Sequence, residues 1–590
     1  MPIHFEYGLC DVAAYRGCAS CKLLCQLREP YLEELAQLQL MVSTVRRFEG
    51  SLLVSFDRLK RGPSSIELQV YEVEGTSCPW PVVTPYPKKL GIEDSSVAQA
   101  WIRDKLNICD EKHDLCHEAR FLEAQHLPTR VLEILGPTQV RLHVNHGQSI
   151  KDRYACLSHC WGGIVPLQTT TSRVREFQDQ GIPWDLLPLT FQHAIETTYR
   201  LGLKYIWIDS FCIVQDDLDD WRHEGSKMAE IYAGSYITLA ATGAPNGTAG
   251  FYQSVRANPG YHDRIYTLHK TEHDPYQILV REAPPVSPFE QESLPLQQRA
   301  WFFQERLLSR RIVHFADDSL YWECLRLDVS EASDRTHGGV EKLNRNVQGI
   351  NIVGVTVGDD AQLSGAKRRW HNIVHNYSKC KLTFDKDILP ALQGVAAEMK
   401  PLRNCAYFAG LWGDNLIFDL LWMAETKSVV QGDKYLAPSW SWAKSIGAVR
   451  WEPQGDEFHQ EAQVVSVETI PVGLDPMGEV SAGHMKLEGK ILYAVVKRVD
   501  DSTTCLIPIR QTRLPSDQPS EEWLPDYDPK GLDDQEVTVM WIGWSRLCFY
   551  CLVLTQRKDG LYERVGCVNP YKFSGWDSFN NAVKTLLTIV

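Results

Sequence analysis

The stretch Gly202-Leu-Lys-Tyr-Ile-Trp-Ile-Asp-Ser-Phe-Cys-Ile-Val-Gln215 decides how this chain is read. A glycine closes a helical pattern, and the apolar run Lys204 to Ile208 has the length and residue types of a buried strand. Asp209 then stands where that strand would end. Upstream, Tyr154-Ala-Cys-Leu-Ser-His-Cys-Trp-Gly-Gly163 reads as another short buried strand, stopped by two glycines. Between the two, Pro188-Leu-Thr190 opens a helix with Phe191, Ala194, Ile195 and Leu201 near helical spacing. Strand, helix and strand in this order make a βαβ unit and predict a parallel sheet. Asp216, Asp217, Asp219 and Asp220 lead into a second helix, where acids suit the positive pole of the helix dipole. A third strand follows over Tyr236 to Ala241. In such folds chemistry gathers where strand tips meet helix starts.

Phase within the second helix separates its two glutamates. At about 100° per residue, Trp221, Gly225, Met228 and Tyr232 share one stripe. Glu224 then faces a cleft at the flank of that stripe, and Glu230 points to solvent. Further on, Arg299-Ala-Trp-Phe-Phe-Gln-Glu-Arg-Leu-Leu308 is a short helix with Trp301, Glu305 and Leu308 on one side. Arg311 to Phe315 and Ser319 to Cys324 predict a hairpin. Residues 333–366 read as an exposed loop, and Tyr252 to Leu296 as irregular. Helices are expected at Pro30 to Leu40, Ser96 to Leu106, Trp370 to Tyr377, Ile388 to Met399 and Leu416 to Ala424. Strands are expected at Ala462 to Glu468, His484 to Val499 and Glu536 to Leu554, with a proline-rich loop over Pro508 to Gly531. The expected division is an N-terminal Cys-rich and helical region (1–150), a central α/β module (151–325), a helical segment (326–450) and a β-rich C-terminal region (451–590).

At 590 residues the chain is too long for one core. A net charge of −14 without a basic run argues against a nucleic-acid surface or docking on anionic lipid. The start has neither the basic nor the apolar part of a signal peptide, and no stretch reaches the roughly 18 apolar residues of a spanning helix. With 17 cysteines, an odd number, and no export signal, reduced thiols and a cytoplasmic location are expected. Cys18-x2-Cys21 together with Cys109-x3-His113-x2-Cys116 supplies soft ligands for a structural zinc; the alternative is a set of buried free thiols. Neither a phosphate loop of the Gly-x4-Gly-Lys-Ser/Thr type nor a Gly-x-Gly-x2-Gly fingerprint is present.

Three motifs, in order, carry a family resemblance. Tyr154-x-Cys-Leu-Ser-His-Cys-Trp-Gly162 resembles the first signature of the fungal heterokaryon incompatibility (HET) domain. Gly202 to Asp216 with Asp220-Trp-x2-Glu224, Met228 and Ile231-Tyr232 resembles the second, and Arg299 to Leu308 the third. Cys109-x3-His-x2-Cys116, Ala409-Gly-Leu-Trp412 and Ala437-Pro-Ser-Trp-Ser-Trp442 are also similar to segments of long family members. Phe211, where Leu is commoner, and Gly225 depart from the pattern. The resemblance implies fungal non-self recognition and programmed cell death, through protein partners or self-association. It also implies a distantly TIR-like parallel sheet with flanking helices, a fold in which some members cleave NAD⁺. On that analogy Glu224 would be catalytic, and Ser158, His159, Trp161, Asp209 and Trp221 would contact NAD⁺ as substrate. The plainer alternatives are a Glu224–Lys227 pair, Asp209 as a turn cap, tryptophans that only pack, and a non-enzymatic module acting by association. His159 and Cys160, adjacent on a strand, point to opposite faces, which argues against a dyad. Arg299 and Glu305 are expected to form an internal ion pair bracing Trp301.

Overall fold

The computed structural model describes residues 3–6, 15, 40–48, 51–58, 66–73, 75–76, 83, 95–116, 126–145, 150–163, 165–252, 264–269, 275–282, 294–316, 319–331, 333–337, 359–425, 435–452, 458–473, 475–498, 504–509, 521–527, 531–545, 548–569, 579 and 582–590. Its central sheet has nine strands: β1 (Arg130–Gly136), β2 (Gln139–Val144), β3 (Tyr154–Ser158), β4 (Tyr205–Trp207), β5 (Ile237–Ala240), β6 (Arg311–Phe315), β7 (Leu320–Cys324), β8 (Asp328–Ser330) and β9 (Ser333–His337). The order across the sheet is β9-β8-β7-β6-β5-β3-β4-β1-β2. The expected βαβ unit is present: β3 runs parallel to β4 (Ala155 opposite Ile206) and to β5 (Cys156 opposite Thr238). β6 adds a fourth parallel strand beside β5, then turns back into β7 as the expected hairpin. Antiparallel β1 closes the other side against β4.

Helices cover both faces. α1 (Ser95–Lys112) and α2 (Leu189–Arg200) pack against Ala155, Leu157, Ile206 and Leu239. α3 (Leu218–Gly234) and α4 (Ala300–Leu308) pack against Tyr154, Cys156 and Trp207. The split follows from the period of two along β3, whose five residues are all buried, as a parallel strand sandwiched between helices requires. The aspartates before α3 have separate tasks. Asp217 caps it, accepting from the Asp219 and Asp220 amides at 3.0 and 3.1 Å. Asp216 holds Thr171, and Asp220 pairs with Arg130 at 2.5 Å. Glu230 is exposed, as its phase predicts.

Two further sheets flank the central one, antiparallel except for one parallel pairing, Tyr562 with Ile589, in the second. The first has six strands and joins Ile66–Glu72 to Pro275–Glu282, so the stretch that reads as irregular supplies a hairpin to an N-terminal sheet. Of the expected Pro30 to Leu40 helix, residues 30–39 lie outside the described residues, and Leu40–Phe48 is a strand. The second sheet is C-terminal and built around Val480–Arg498. Part of the proline-rich loop belongs to it: Glu521–Pro525 is a strand between Thr504–Pro508 and Tyr562–Val568. Trp523, 3% exposed, anchors that strand, and its one proline, Pro525, is its last residue. Four helices differ in extent from the sequence reading: α1 continues past Leu106 to Lys112, and the helix expected over Ile388 to Met399 runs from Gln393 to Arg403. α5 runs Asp359–Tyr377, longer than Trp370 to Tyr377, and the Leu416 helix stops at Asp419. α6 (Gln393–Arg403) lies on α3 and α4, with the Gly394 amide donating to Gln304 Oε1 at 2.7 Å. A Cβ on Gly394 would fall 2.3 Å from that of Ala229. Among the described residues no helix is long and apolar enough to cross a membrane.

The abundance of tryptophan is explained by the core joining these layers. The Gly410 carbonyl accepts from Trp370 Nε1 at 2.9 Å and from Trp442 Nε1 at 3.0 Å. Ser441 Oγ donates to the Ala409 carbonyl at 2.5 Å. Buried Arg564 pairs with Asp526 at 2.9 Å and lies 3.5 Å from the Trp422 ring centroid. Each indole N–H in these motifs that reaches a carbonyl removes the cost of burying a polar group. Gly410 has φ +98°, and a Cβ there would meet Trp442 Nε1 at 2.3 Å, whereas Gly163 at φ +73° has open space around it. Gly410→Ala should therefore cost roughly 3 kcal/mol or more through strain plus displacement of the indole. Gly163→Ala should cost only about 1–2 kcal/mol from the left-handed backbone. Thermal unfolding followed by tryptophan fluorescence checks the difference.

Candidate functional site

The carboxyl tips of β3 and β4 gather a polar cluster. Ser158, the last residue of β3, donates from Oγ to Glu305 Oε2 at 2.5 Å. His159 is buried on the opposite face, edge-on to Phe191 with ring centroids 4.9 Å apart. Cys160 turns instead into a small apolar cluster with Ala240, Leu296, Phe302 and Ile312. His159 and Cys160 thus face apart, as strand alternation demands. Past β4, Asp209 accepts from Trp161 Nε1 at 3.1 Å and from the Ser210 amide at 2.7 Å, and one of its oxygens lies 3.8 Å from His159 Nδ1. The structure therefore brings Ser158, His159, Trp161 and Asp209 into one neighbourhood.

Arg299 and Glu305 do not form the expected ion pair. Arg299 Nη1 donates to the His159 carbonyl, while Glu305, one turn and a half into α4, reaches Ser158. The side chains part for a geometric reason. Arg299 is the N-cap residue of α4, in extended conformation, so its side chain leaves before the helix begins. The Trp301 indole is held by Asp387 instead, at 3.2 Å. Burial pushes the Glu305 carboxyl up to about 7, with Asp209 adding to the rise and Ser158, Arg299 and Tyr232 opposing it. Burial likewise lowers His159 to about 4, against the pull of Asp209.

Glu224 is fully buried. One carboxylate oxygen is 3.3 Å from Lys227 Nζ, which also reaches Thr129 Oγ1 at 3.1 Å. Its other oxygen has no hydrogen-bond partner. The same holds for His159 Nε2 and Ser210 Oγ. Burial raises the Cys212 thiol to about 12, and Glu224 and Asp209 add to that rise. Trp221 lies elsewhere. It packs edge-on to Trp301 at 6.3 Å and lines, with Arg222, Gln393, Asp475 and Glu479, a cleft of about 510 Å³ against the C-terminal sheet.

A second cluster is only half legible in the sequence. Cys109, His113 and Cys116 converge with Cys324, all four ligand atoms lying within 4.8 Å of one another, and the set could hold a metal ion. Cys18 and Cys21, expected as partners, lie outside the described residues. Among the described residues the fourth member is Cys324, the last residue of β7. It is 211 residues from His113, so no local spacing announces it. Glu305 likewise carries no local sign of its place in the site, because nothing near it in sequence marks Ser158 as its partner.

A doubly covered α/β domain with polar groups at its parallel strand tips defines the class of protein. Residues 154–305 match the family model described as heterokaryon incompatibility protein (HET). The chain thus carries a HET domain, which the match opens at the first residue of β3 and closes at Glu305. No curated protein and no solved structure matches the chain.

The Glu305 titration has a definite sign. With a folded value of about 7 against an ordinary 4.5, the native carboxyl keeps a proton that the unfolded chain has released. Its contribution is undiminished below about pH 4.5 and is lost as pH rises through 7. His159 acts oppositely, costing stability as pH falls from 6.5 through about 4. Glu305→Gln removes the first term and leaves the second. Relative to that variant, the wild type should lose up to roughly 3 kcal/mol between pH 4.5 and 7, read from urea midpoints over a pH series.

Proposed function

We propose that this chain serves fungal non-self recognition and cell-death signalling from the cytoplasm, and that its HET domain hydrolyses NAD⁺ to nicotinamide and ADP-ribose. One observation carries the enzymatic part. Three wholly buried polar atoms around the tips of β3 and β4 and on α3 (Glu224 Oε2, His159 Nε2, Ser210 Oγ) lack any protein partner. Such groups are costly unless something bonds to them, and the hydroxyls and amide of a dinucleotide would do so. The parallel strands run β4-β3-β5-β6, the second-first-third-fourth order in which ligands bind beyond the carboxyl ends of the strands.

In this reading Glu224 accepts from the nicotinamide ribose and stabilises the positive charge that develops at its anomeric carbon. The C1′–N bond breaks, nicotinamide leaves as a neutral base, and water supplies the new hydroxyl and releases a proton. Asp209 orients Trp161 as an aromatic face, and His159 stays neutral near pH 7 because burial lowers its pKa. Trp221 takes no part in these contacts, because it lines the separate cleft against the C-terminal sheet. Ser158 stays engaged by Glu305 at the edge of these contacts.

A second reading, a module that signals by association with a partner or with itself, has its own support. Cys160, Ala240, Leu296, Phe302 and Ile312 close an apolar cluster at the tips of β3 and β5, where this strand order would otherwise leave a crevice. For the Cys109–His113–Cys116–Cys324 cluster we propose zinc, because three thiolates and an imidazole form a soft, four-ligand set.

Nicotinamide release from NAD⁺ by the purified full chain, measured by chromatography, tests the first reading. Glu224→Gln should lower the rate at least ~100-fold with an unchanged circular dichroism spectrum. Equal rates would remove Glu224 from the mechanism. Absence of turnover by wild-type protein that still kills fungal cells on expression would favour association.

A further inference from the structure

We infer that the metal at Cys109, His113, Cys116 and Cys324 is a structural clamp that fastens α1 to the β6–β7 hairpin, so that the HET domain folds as a unit reaching from α1 to β7. The inference rests on the zinc reading and extends it. All four ligands lie outside residues 154–305, three before the matched segment and one after it.

The ligands come from two elements that share no backbone bonds. Cys109 sits in the last turn of α1 with His113 four residues on, so both project from one side. Cys116 closes the 3-10 turn Asp114–Cys116 just after α1, and its amide donates to the His113 carbonyl at 2.9 Å. Cys324 arrives from the sheet, with its Sγ 3.4 Å from His113 Nδ1. Zinc bond lengths of about 2.3 Å to sulfur and about 2.0 Å to nitrogen put neighbouring ligand atoms ~3.6 Å apart in a tetrahedron, close to that separation. With Cys324 as fourth ligand no position stays open for water, the mark of a structural site and not a catalytic one.

The surroundings suit thiolates and not thiols. Arg311, on β6 and 5% exposed at its side chain, donates from Nε to Cys109 Sγ at 3.3 Å. Its other arm pairs with Asp110 at 2.5 Å, and Tyr236 holds the same aspartate at 2.6 Å. The Arg326 amide donates to Cys324 Sγ at 3.5 Å. Three thiolates and one divalent ion leave a single negative charge, and Arg311 balances it. Second partners of this kind fix ligand orientation and strengthen metal binding.

Metal analysis of the purified full chain should give about one zinc per molecule, retained in Cys380→Ser and lost in Cys324→Ser. His113→Cys, which keeps four soft ligands, should hold the metal and give a tetrahedral Co²⁺ spectrum with sulfur charge-transfer bands. Hydrogen exchange read by mass spectrometry, before and after chelation of wild-type protein, tests the clamp. Exchange should rise at least ~10-fold in 95–116 and 311–324 and stay unchanged in 480–498. A chain that binds no zinc overturns the metal and the clamp together. A zinc-loaded chain whose exchange in 95–116 and 311–324 ignores chelation overturns the clamp alone.

Discussion

Strand β3 is covered on both sides, and that double covering constrains everything around it. Its five residues alternate between two helical layers, so each side chain is committed to one of them. Tyr154 and Cys156 both approach the Ile231 carbonyl of α3, the hydroxyl at 2.7 Å, while Ala155 and Leu157 lie under α2. The commitment continues past the strand end. Ser158 is delivered to α4, His159 to Phe191, and Cys160 back to the α4 side. A slip of one residue would exchange the layers and break every one of these contacts.

Around that strand, polar groups divide into those the fold satisfies and those it leaves open. Indoles of the helical segment find carbonyls at Gly410 and Trp440, and Arg564 binds two carbonyls as well as Asp526. Buried atoms of His159, Ser210 and Glu224 are left without partners, as are the indole nitrogens of Trp412 and Trp440 in the helical segment. What sets the strand tips apart is the kind of group left open there, a carboxylate, an imidazole and a hydroxyl beside Asp209 and Glu305, and not indole nitrogens.

Legibility in the sequence tracks the range of the interaction. The βαβ unit, the β6–β7 hairpin and the exposed Glu230 depend on spacing within one or two elements, and periodicity announces them. The direction of Arg299, the Glu305–Ser158 bond and the recruitment of Cys324 depend on elements far apart in the chain, and a single sequence carries no trace of such pairings. The proline-rich stretch misleads for another reason. Composition averages over a segment, whereas Glu521–Pro525 buries Trp523 and pairs with a strand on each side. Resemblance to a family supplies the identity of the motifs but not the tasks of their residues; the tryptophan motifs at 412 and 442 prove to be packing.

Gly394 bears on how this protein can evolve. Its missing side chain lets α6 approach α3 until the Ala229 methyl fills the place a Cβ would take, and its amide is spent on Gln304 of α4. Such a seam leaves no room for a layer of exchangeable side chains between the HET domain and the helical segment behind it. The two halves are therefore heritable together: recombination that joined this HET domain to the helical segment of a distant relative would have to carry α3, α4 and α6 as one block.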